Sequence, residues 1–428
     1  MEWTSFETSG FPPISKEEWR VKVGKDLKGK AYEELLWELD ESILIEPLLT
    51  EKEVEFEFNI PPRSHQSNRN EWIIHQEFSY HKKKLNEKIL SSLMGGASSI
   101  GLLASQINSS SNLFDGVHLN MISLRVILDE QLNPEKVKGC QQVHLIQNNI
   151  DIQNKSIDGA KRQVCIDAAQ YTEKGLGLIK SSILALGSAH DLLSRWTGSG
   201  HKIDDLSPLF EYRVSVGKNY LVDIAQLRAI RVLWAKLIES FSPKHKCSKI
   251  IHLHTTTSAY NLSSLDEYNN LLRSTTAAMS AAMGGADSIH VLPFDFWWDE
   301  SEEGMRYARN IHHLLVEESY ADAVKDPLKG SYLIEHLTNL LVKEIWEGLI
   351  EFIEEGGMNK SNIDTQIDQW IKVAQEKTEV RIDKEVIQLI GVNHHPPKNS
   401  ETKVIKSRIE SGFPSKRWAE KYEKTTHS

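Results

Sequence analysis

The order of apolar and polar positions over residues 249–295 predicts one complete strand–helix–strand unit. Residues 249–254 form a short apolar run that ends in polar side chains, which suits a buried strand. Ser264 and Glu267 then have the spacing of a helix capping box, and apolar residues follow at helical intervals. Residues 284–285 are both glycine, which ends the helix before a second apolar run begins. This order is typical of a parallel α/β protein.

Residues 94–100 and 283–289 have the same sequence except at one position. The first segment reads Met-Gly-Gly-Ala-Ser-Ser-Ile, and the second carries Asp287 where the first carries Ser98. Each segment lies between a helical pattern and an apolar run. The pair is interpreted either as a true internal repeat or as one helix-to-strand turn used twice. Both interpretations favour the same architecture.

Apolar runs that suit buried strands occur at eight places along the chain, and helical patterns lie between most of them. The runs are residues 100–104, 117–122, 143–146, 164–168, 212–216, 249–254, 288–292 and 321–325. Eight strands that alternate with helices are the pattern of a (β/α)8 barrel. We therefore expect an α/β protein of the TIM-barrel type.

The chain has three regions of different composition. Residues 1–65 contain proline and glycine too often for a compact core, so we expect an extended N-terminal arm. Residues 66–395 contain the predicted strands and would form the barrel. Residues 396–428 are charged and poor in apolar side chains, which predicts a linker-like tail.

The arm carries large apolar side chains that it cannot bury alone. They are Trp19, Leu27, Leu36 and Trp37. Such residues tend to dominate protein interfaces, and we expect them to contact a partner in preference to this chain's own barrel.

Composition excludes several classes of protein. With 428 residues and 40% hydrophobic content the chain can form a sizeable core. Its net charge of −10 disfavours nucleic acid and anionic membrane as partners. No stretch approaches the ~20 apolar residues that span a bilayer, and residues 1–4 lack the pattern of a signal peptide. The three cysteines lie far apart, so we expect a reducing, cytoplasmic location, or a matrix location if a presequence has been removed.

Three histidines are the first candidates for chemistry. His252 and His254 lie two apart on a predicted strand and therefore face the same side, and His290 stands similarly on the next strand. A metal site needs three or more ligands with supporting hydrogen bonds. No His-x-x-x-His or Cys-x-x-Cys spacing supports one, so we expect no metal and interpret these as buried, hydrogen-bonded histidines. The residues alone leave open whether the barrel is an enzyme.

A family resemblance begins at residues 222–237, which resemble the Leu-Arg-Ala-x-Arg-x-Leu-Trp-Ala helix of adenosylcobalamin-dependent acyl-CoA mutases. Further segments resemble that family in the same order. They are residues 268–273, 308–310, 317–319, 326–332, 356–358, 381–383 and 391–393. Residues 19–47 look like the arm of the small, or β, subunit of heterodimeric methylmalonyl-CoA mutases. The resemblance implies a barrel that acts in the interconversion of methylmalonyl-CoA and succinyl-CoA.

The chain departs from that family at the groups that contact substrate. Catalytic subunits carry a Tyr-His pair after the fourth strand, where this chain carries Ala169 and Gln170, and their strand-six arginine falls at His252. Positioning and proton donation depend on such groups. The resemblance therefore implies no catalytic residues here, and a vestigial pocket formed by Gln170, His252, His254 and His290.

The chain also lacks the Asp-x-His-x-x-Gly motif whose histidine binds cobalt in this family. The resemblance implies no C-terminal cobalamin-binding domain and no cofactor on this chain. Adenosylcobalamin would be held by a partner subunit.

Three functional hypotheses follow. The first is a non-catalytic subunit that pairs with a catalytic (large) mutase subunit, is inactive in isolation and could then form a homodimer. The second is a competent acyl-CoA barrel that uses a cobalamin domain on a separate polypeptide. The third is an unrelated barrel enzyme that uses His252, His254 and His290.

Overall fold

The chain divides into two units, Met1–Glu55 and Phe56–Ser428, in the computed structural model. The residues that the structure describes are 14–40, 43–54, 58–64, 69–78, 84–140, 142–146, 160–162, 164–217, 219–298, 301–397 and 417–425.

The described part of the first unit contains one helix, one hairpin and two short 3-10 turns. Helix α1 (Lys16–Asp26) begins at a capping box. In it, Ser15 Oγ accepts a hydrogen bond from the Glu18 N–H, and the Glu18 carboxylate accepts one from the Ser15 N–H. Strands β1 (Trp37–Asp40) and β2 (Ile43–Ile45) pair antiparallel. The 3-10 turns are Tyr32–Leu35 and Glu51–Glu53.

The apolar residues predicted as anchors are all partly exposed in this unit. They are Trp19, Leu27, Leu36 and Trp37. No residue of α1 is buried, and Ile14, Val21 and Leu44 expose 73%, 60% and 56% of their surface. A unit of this size buries a smaller fraction of its surface than a large domain does.

Among its described residues, the second unit is built around nine parallel strand segments. They are β3 (Ile73–Glu77), β4 (Ser99–Leu103), β5 (Ser123–Ile127), β6 (Gln142–Ile146), β7 (Ala160–Arg162), β8 (Val164–Asp167), β9 (Phe210–Val216), β10 (His252–Thr257) and β11 (Ser288–His290). Neighbours pair in the order β7-β6-β5-β4-β3-β11-β10-β9-β8, each pair parallel. Residue 163 alone separates β7 from β8, so the two ends of the sheet meet there. The nine segments thus occupy eight strand positions of a nearly closed barrel, and the predicted (β/α)8 class is confirmed.

The barrel strands differ from the predicted ones at both ends of the series. Residues 321–325 form turns and not the eighth strand, so that prediction is wrong. Residues 117–122 precede the strand predicted there, which begins at Ser123. The first strand of the barrel is β3. It is not among the predicted apolar runs because its inward residues His75 and Glu77 are polar.

Helices connect most of the strands and cover the outside of the barrel. They are α2 (Leu85–Met94), α3 (Ala104–Ser109), α4 (Ala169–Thr172), α5 (Leu178–Gly198), α6 (Ile203–Leu206), α7 (Tyr220–Glu239), α8 (Asn269–Met283), α9 (Glu302–His313), a π-helical segment (Leu314–Glu318), α10 (Tyr332–Glu354), α11 (Ile363–Asp383) and α12 (Glu420–Thr425). Short 3-10 turns lie at Leu119–Met121, Pro134–Val137, Ser207–Leu209, Lys246–Lys249 and Gly357–Asn359. Among the described residues, no helix has the length and apolar content needed to cross a bilayer.

The repeated glycine turns perform the same task at two places in the barrel. Gly96 and Gly285 adopt positive φ angles of 95° and 77°, which glycine accepts without strain. Ser98 Oγ accepts a hydrogen bond from the second backbone N–H of the neighbouring strand β3, at 3.2 Å. Asp287 Oδ2 accepts the equivalent bond from the second residue of β10, at 2.8 Å. The single difference between the two segments therefore changes the charge of the acceptor and not its role.

Candidate functional site

The interior of the barrel is lined by polar and charged side chains in place of the usual aliphatic layers. Because side chains alternate between the two faces of a strand, every second residue of each strand points inward. The buried polar residues at these positions include His75, Ser99, Ser123, Arg125, His144, Asp167, Glu211, His252, His254, Ser288 and His290. Buried polar groups need hydrogen-bond partners, so the bonds among these residues define the site.

A fully buried charge pair of the interior joins Arg125 on β5 to Glu211 on β9. Arg125 Nη1 lies 2.8 Å from Oε1 and 3.0 Å from Oε2 of the carboxylate. His144 Nδ1 lies 2.9 Å from the same Oε2. Burial by itself raises the pKa of Glu211, but the Arg125 charge and the His144 hydrogen bond outweigh it and hold that pKa well below its usual range. Glu211 is therefore a fully buried, ionised carboxylate.

His252 and His254 on β10 share one hydroxyl group. Ser288 Oγ lies 3.0 Å from Nε2 of His252 and 2.8 Å from Nδ1 of His254. Ser64 Oγ lies 2.9 Å from the other ring nitrogen of His252. A hydroxyl has one proton to donate, so the tautomers of the two histidines are coupled through Ser288.

His75 on β3 lies at the centre of the histidine group. Its Nδ1 lies 2.9 Å from Ser99 Oγ, and its ring packs edge-on against His254 and His290, with centroids 5.1 Å and 5.4 Å away. Burial lowers the pKa of His75, His254 and His290, most strongly for the latter two. These histidines are therefore neutral near pH 7.

Gln170 makes its hydrogen bonds at a different place. It stands on α4, just after β8, where its backbone N–H donates to Asp167 Oδ1 and its side-chain amide donates to the Asp167 carbonyl, at 3.2 Å and 2.9 Å. Arg213 completes this group through an ion pair of 3.1 Å with Asp167. The structure thus brings three of the four predicted pocket residues into one network and places Gln170 in another.

Arg125, His144 and Glu211 form the centre of the network, but no pattern in the sequence predicted them. The available signal was their position, since each stands at an inward place of its strand, in register with a neighbouring strand. Of the three, only His144 lies within a predicted apolar run, residues 143–146.

Aromatic residues and the C-terminal segment cover the loops after β10 and β11. Phe296, Trp297 and Trp298 are buried in a cluster there, and Trp297 Nε1 donates to the Ala259 carbonyl at 3.0 Å. Arg417 stacks over Trp297, with its guanidinium carbon 5.0 Å from the ring centroid. Within the expected linker-like tail, residues 417–425 thus carry a helix and several buried contacts.

The fold and the interior define an α/β barrel whose core is a network of ion pairs and histidines. Residues 139–425 match the methylmalonyl-CoA mutase family. The chain belongs to this family.

Individual relatives support the same assignment. The chain is 27% identical to the methylmalonyl-CoA mutase small subunit of Porphyromonas gingivalis, over 91% of this chain and 71% of that protein. It is 27% identical to the large subunit of Streptomyces virginiae, over 90% of this chain and 63% of that protein. It is 32% identical to the large subunit of Porphyromonas gingivalis, over 58% of this chain and 33% of that protein.

Proposed function

We propose that this chain is a non-catalytic barrel subunit of a methylmalonyl-CoA mutase and that it acts by pairing with a catalytic (large) subunit. The pair would interconvert methylmalonyl-CoA and succinyl-CoA, and adenosylcobalamin bound to the partner would supply the radical chemistry. The observation that carries the proposal is the barrel interior. Buried side chains that bond one another, with Arg125, His144 and Glu211 at the centre, occupy the inward positions.

The described residues do not fit a cobalamin. The loops after β10 and β11, at the C-terminal ends of the strands, bury Phe296, Trp297 and Trp298 in one cluster. Arg417 lies against this cluster and bonds Glu423, whose carboxylate also accepts the Ser264 N–H at 2.8 Å. No catalytic step is assigned to this chain.

The first unit supports the proposed pairing. Its helix α1 buries no residue, and the anchors Trp19, Leu27, Leu36 and Trp37 remain partly exposed. Aromatic side chains presented in this way are typical of interfaces. Both the small and the large subunit of Porphyromonas gingivalis resemble this chain, which is the relation expected of two similar barrels in one assembly.

The test is co-expression of the full-length chain with the catalytic mutase subunit of the same organism. We expect the two to co-purify, and isomerase activity with adenosylcobalamin to require the catalytic subunit and to be absent from this chain alone. Deleting residues 1–55 should abolish co-purification. Replacing Trp19 and Trp37 together by alanine should weaken the association by at least about tenfold.

Tyr320→Ala is the matched control, because this aromatic residue of the second unit is 68% exposed and lies outside the proposed interface. It should bind the partner as the unchanged chain does. Full co-purification of the shortened chain would show that the first unit is not the interface. Turnover by the full-length chain supplied only with a separate cobalamin-binding protein would refute the non-catalytic role and support a competent acyl-CoA barrel.

A further inference from the structure

Three buried side chains of the interior come together as a possible set of metal ligands. His144, Glu211 and His252 stand on β6, β9 and β10, and one ligand atom of each lies within 4.8 Å of the other two. The three residues expose 3%, 0% and 4% of their surface. Two imidazoles and one carboxylate are donors that zinc and similar divalent metals prefer.

Rigid elements hold these donors. His252 and Glu211 are direct register partners on neighbouring strands, so the sheet fixes their separation. Outer contacts orient them further, since Arg125 bonds Glu211 while Ser64 and Ser288 bond His252. Metal-binding side chains are commonly held by outer contacts of this kind.

We propose that His144, Glu211 and His252 form a binding site for one divalent transition-metal ion of the zinc type. The 2.9 Å between His144 Nδ1 and Glu211 Oε2 is close to the ~3.3 Å between ligands of a tetrahedral zinc site with bonds near 2.0–2.1 Å. The ion takes the place of the proton between these two atoms, and His144 carries its proton on Nε2 instead. One serine hydroxyl turns away from His252, and a water or hydroxyl group completes the coordination.

The charge of the interior allows a divalent cation. Among the side chains that the structure describes, the charged ones at inward strand positions are Arg125, Arg213, Asp167, Glu211 and Glu77, which sum to −1 when the histidines are neutral. Binding one divalent ion would change this net charge from −1 to +1, so the magnitude of the buried charge would not increase. Arg125 Nη1 contacts both oxygens of Glu211, so its charge lowers the affinity, and the ion would use the side of Oε2 that faces His144.

The position of the site indicates its role. His252 is the first residue of β10 and Glu211 the second of β9, so the ligands lie toward the N-terminal ends of the strands. Active sites of such barrels form at the opposite ends, whereas this end contributes to stability. The metal would therefore be structural, and the site is independent of the proposed pairing with a mutase partner.

The experiment measures zinc in the full-length chain, expressed with zinc in the medium because the ligands are buried. Elemental analysis after dialysis should give one zinc per chain, and removal by a strong chelator should lower the melting temperature. Cobalt(II) in place of zinc should give visible absorption bands typical of tetrahedral nitrogen and oxygen ligands. Crystals of the zinc-grown chain should show an anomalous-difference peak between the three side chains.

Variants separate this site from adventitious binding. His144→Asn and His252→Gln should each lose the zinc, whereas the double variant His394→Ala and His395→Ala, a neighbouring pair outside the barrel strands, should keep it. A zinc content far below one per chain, or an anomalous peak elsewhere, would overturn the proposal. The zinc content and the anomalous-difference peak of the unchanged chain test the proposed site even if the His144 and His252 variants do not fold.

Discussion

Replacing Asp287 by alanine is expected to lower the free energy of unfolding by about 3–5 kcal/mol, because the change leaves buried cations without their counter-charge. The Asp287 carboxylate is fully buried and accepts hydrogen bonds from Arg231 at 2.9 Å and from the Leu253 N–H at 2.8 Å. It also accepts the Ser64 N–H at 3.1 Å, and Arg63 lies 3.7 Å away. Burial raises the pKa of Asp287, but the neighbouring positive charges, led by Arg231, together with the Leu253 N–H hydrogen bond outweigh it, and the pKa lies well below its usual range. Urea unfolding of the two chains measures the difference.

The repeated turn supplies a matched control for this prediction. Ser98 stands at the position of Asp287 in the other glycine-turn segment, and its neutral hydroxyl accepts one hydrogen bond, from the Ile74 N–H of β3. Ser98→Ala removes this acceptor. We expect it to cost about 1 kcal/mol, as the loss of one neutral hydrogen bond does. Equal losses in the two variants would show that the Asp287 charge contributes nothing beyond its backbone bond.

Much of the fold follows from the sequence because its helices and glycine turns obey local rules. The turns at Gly96 and Gly285 require a backbone conformation that only glycine adopts easily, and each marks the start of a barrel strand. The strands were harder to predict. β3 and β5 carry His75, Glu77 and Arg125 at inward positions, so polar residues interrupt both strands and neither forms a long apolar run.

The polar character of the inward strand positions also explains which parts of the site could be predicted. His252 and His254 stand out because two histidines at strand spacing face one side. The pairing of Arg125 with Glu211 joins β5 to β9, which are not neighbours in the sheet. Such a contact depends on closure of the barrel, which no local pattern contains. Buried charges of this kind must be paired, so a predicted barrel with inward charges implies a network even before its members are known.

Acidification is expected to destabilise the chain in part through His312. This residue is 1% exposed, and its Nδ1 accepts a hydrogen bond from Trp72 Nε1 at 3.0 Å, which requires the neutral ring. Burial, with smaller contributions from His313 and His75, lowers the pKa of His312 from 6.5 to about 3. The unfolded chain therefore binds a proton between these two pH values that the folded chain does not. The contribution of His312 is complete above pH 6.5 and is lost as the pH falls toward 3.

Between pH 7 and pH 5 this single group should lower the free energy of unfolding by about 2 kcal/mol. His312→Gln retains an acceptor for Trp72 but cannot titrate, so its stability should fall by about 2 kcal/mol less than that of the unchanged chain over the same interval. His201→Gln, at an exposed histidine, is the control and should follow the unchanged chain. Urea unfolding at pH 7, 6 and 5 measures all three slopes. If the His312→Gln slope equals that of the unchanged chain, His312 is not held neutral by its buried contact with Trp72.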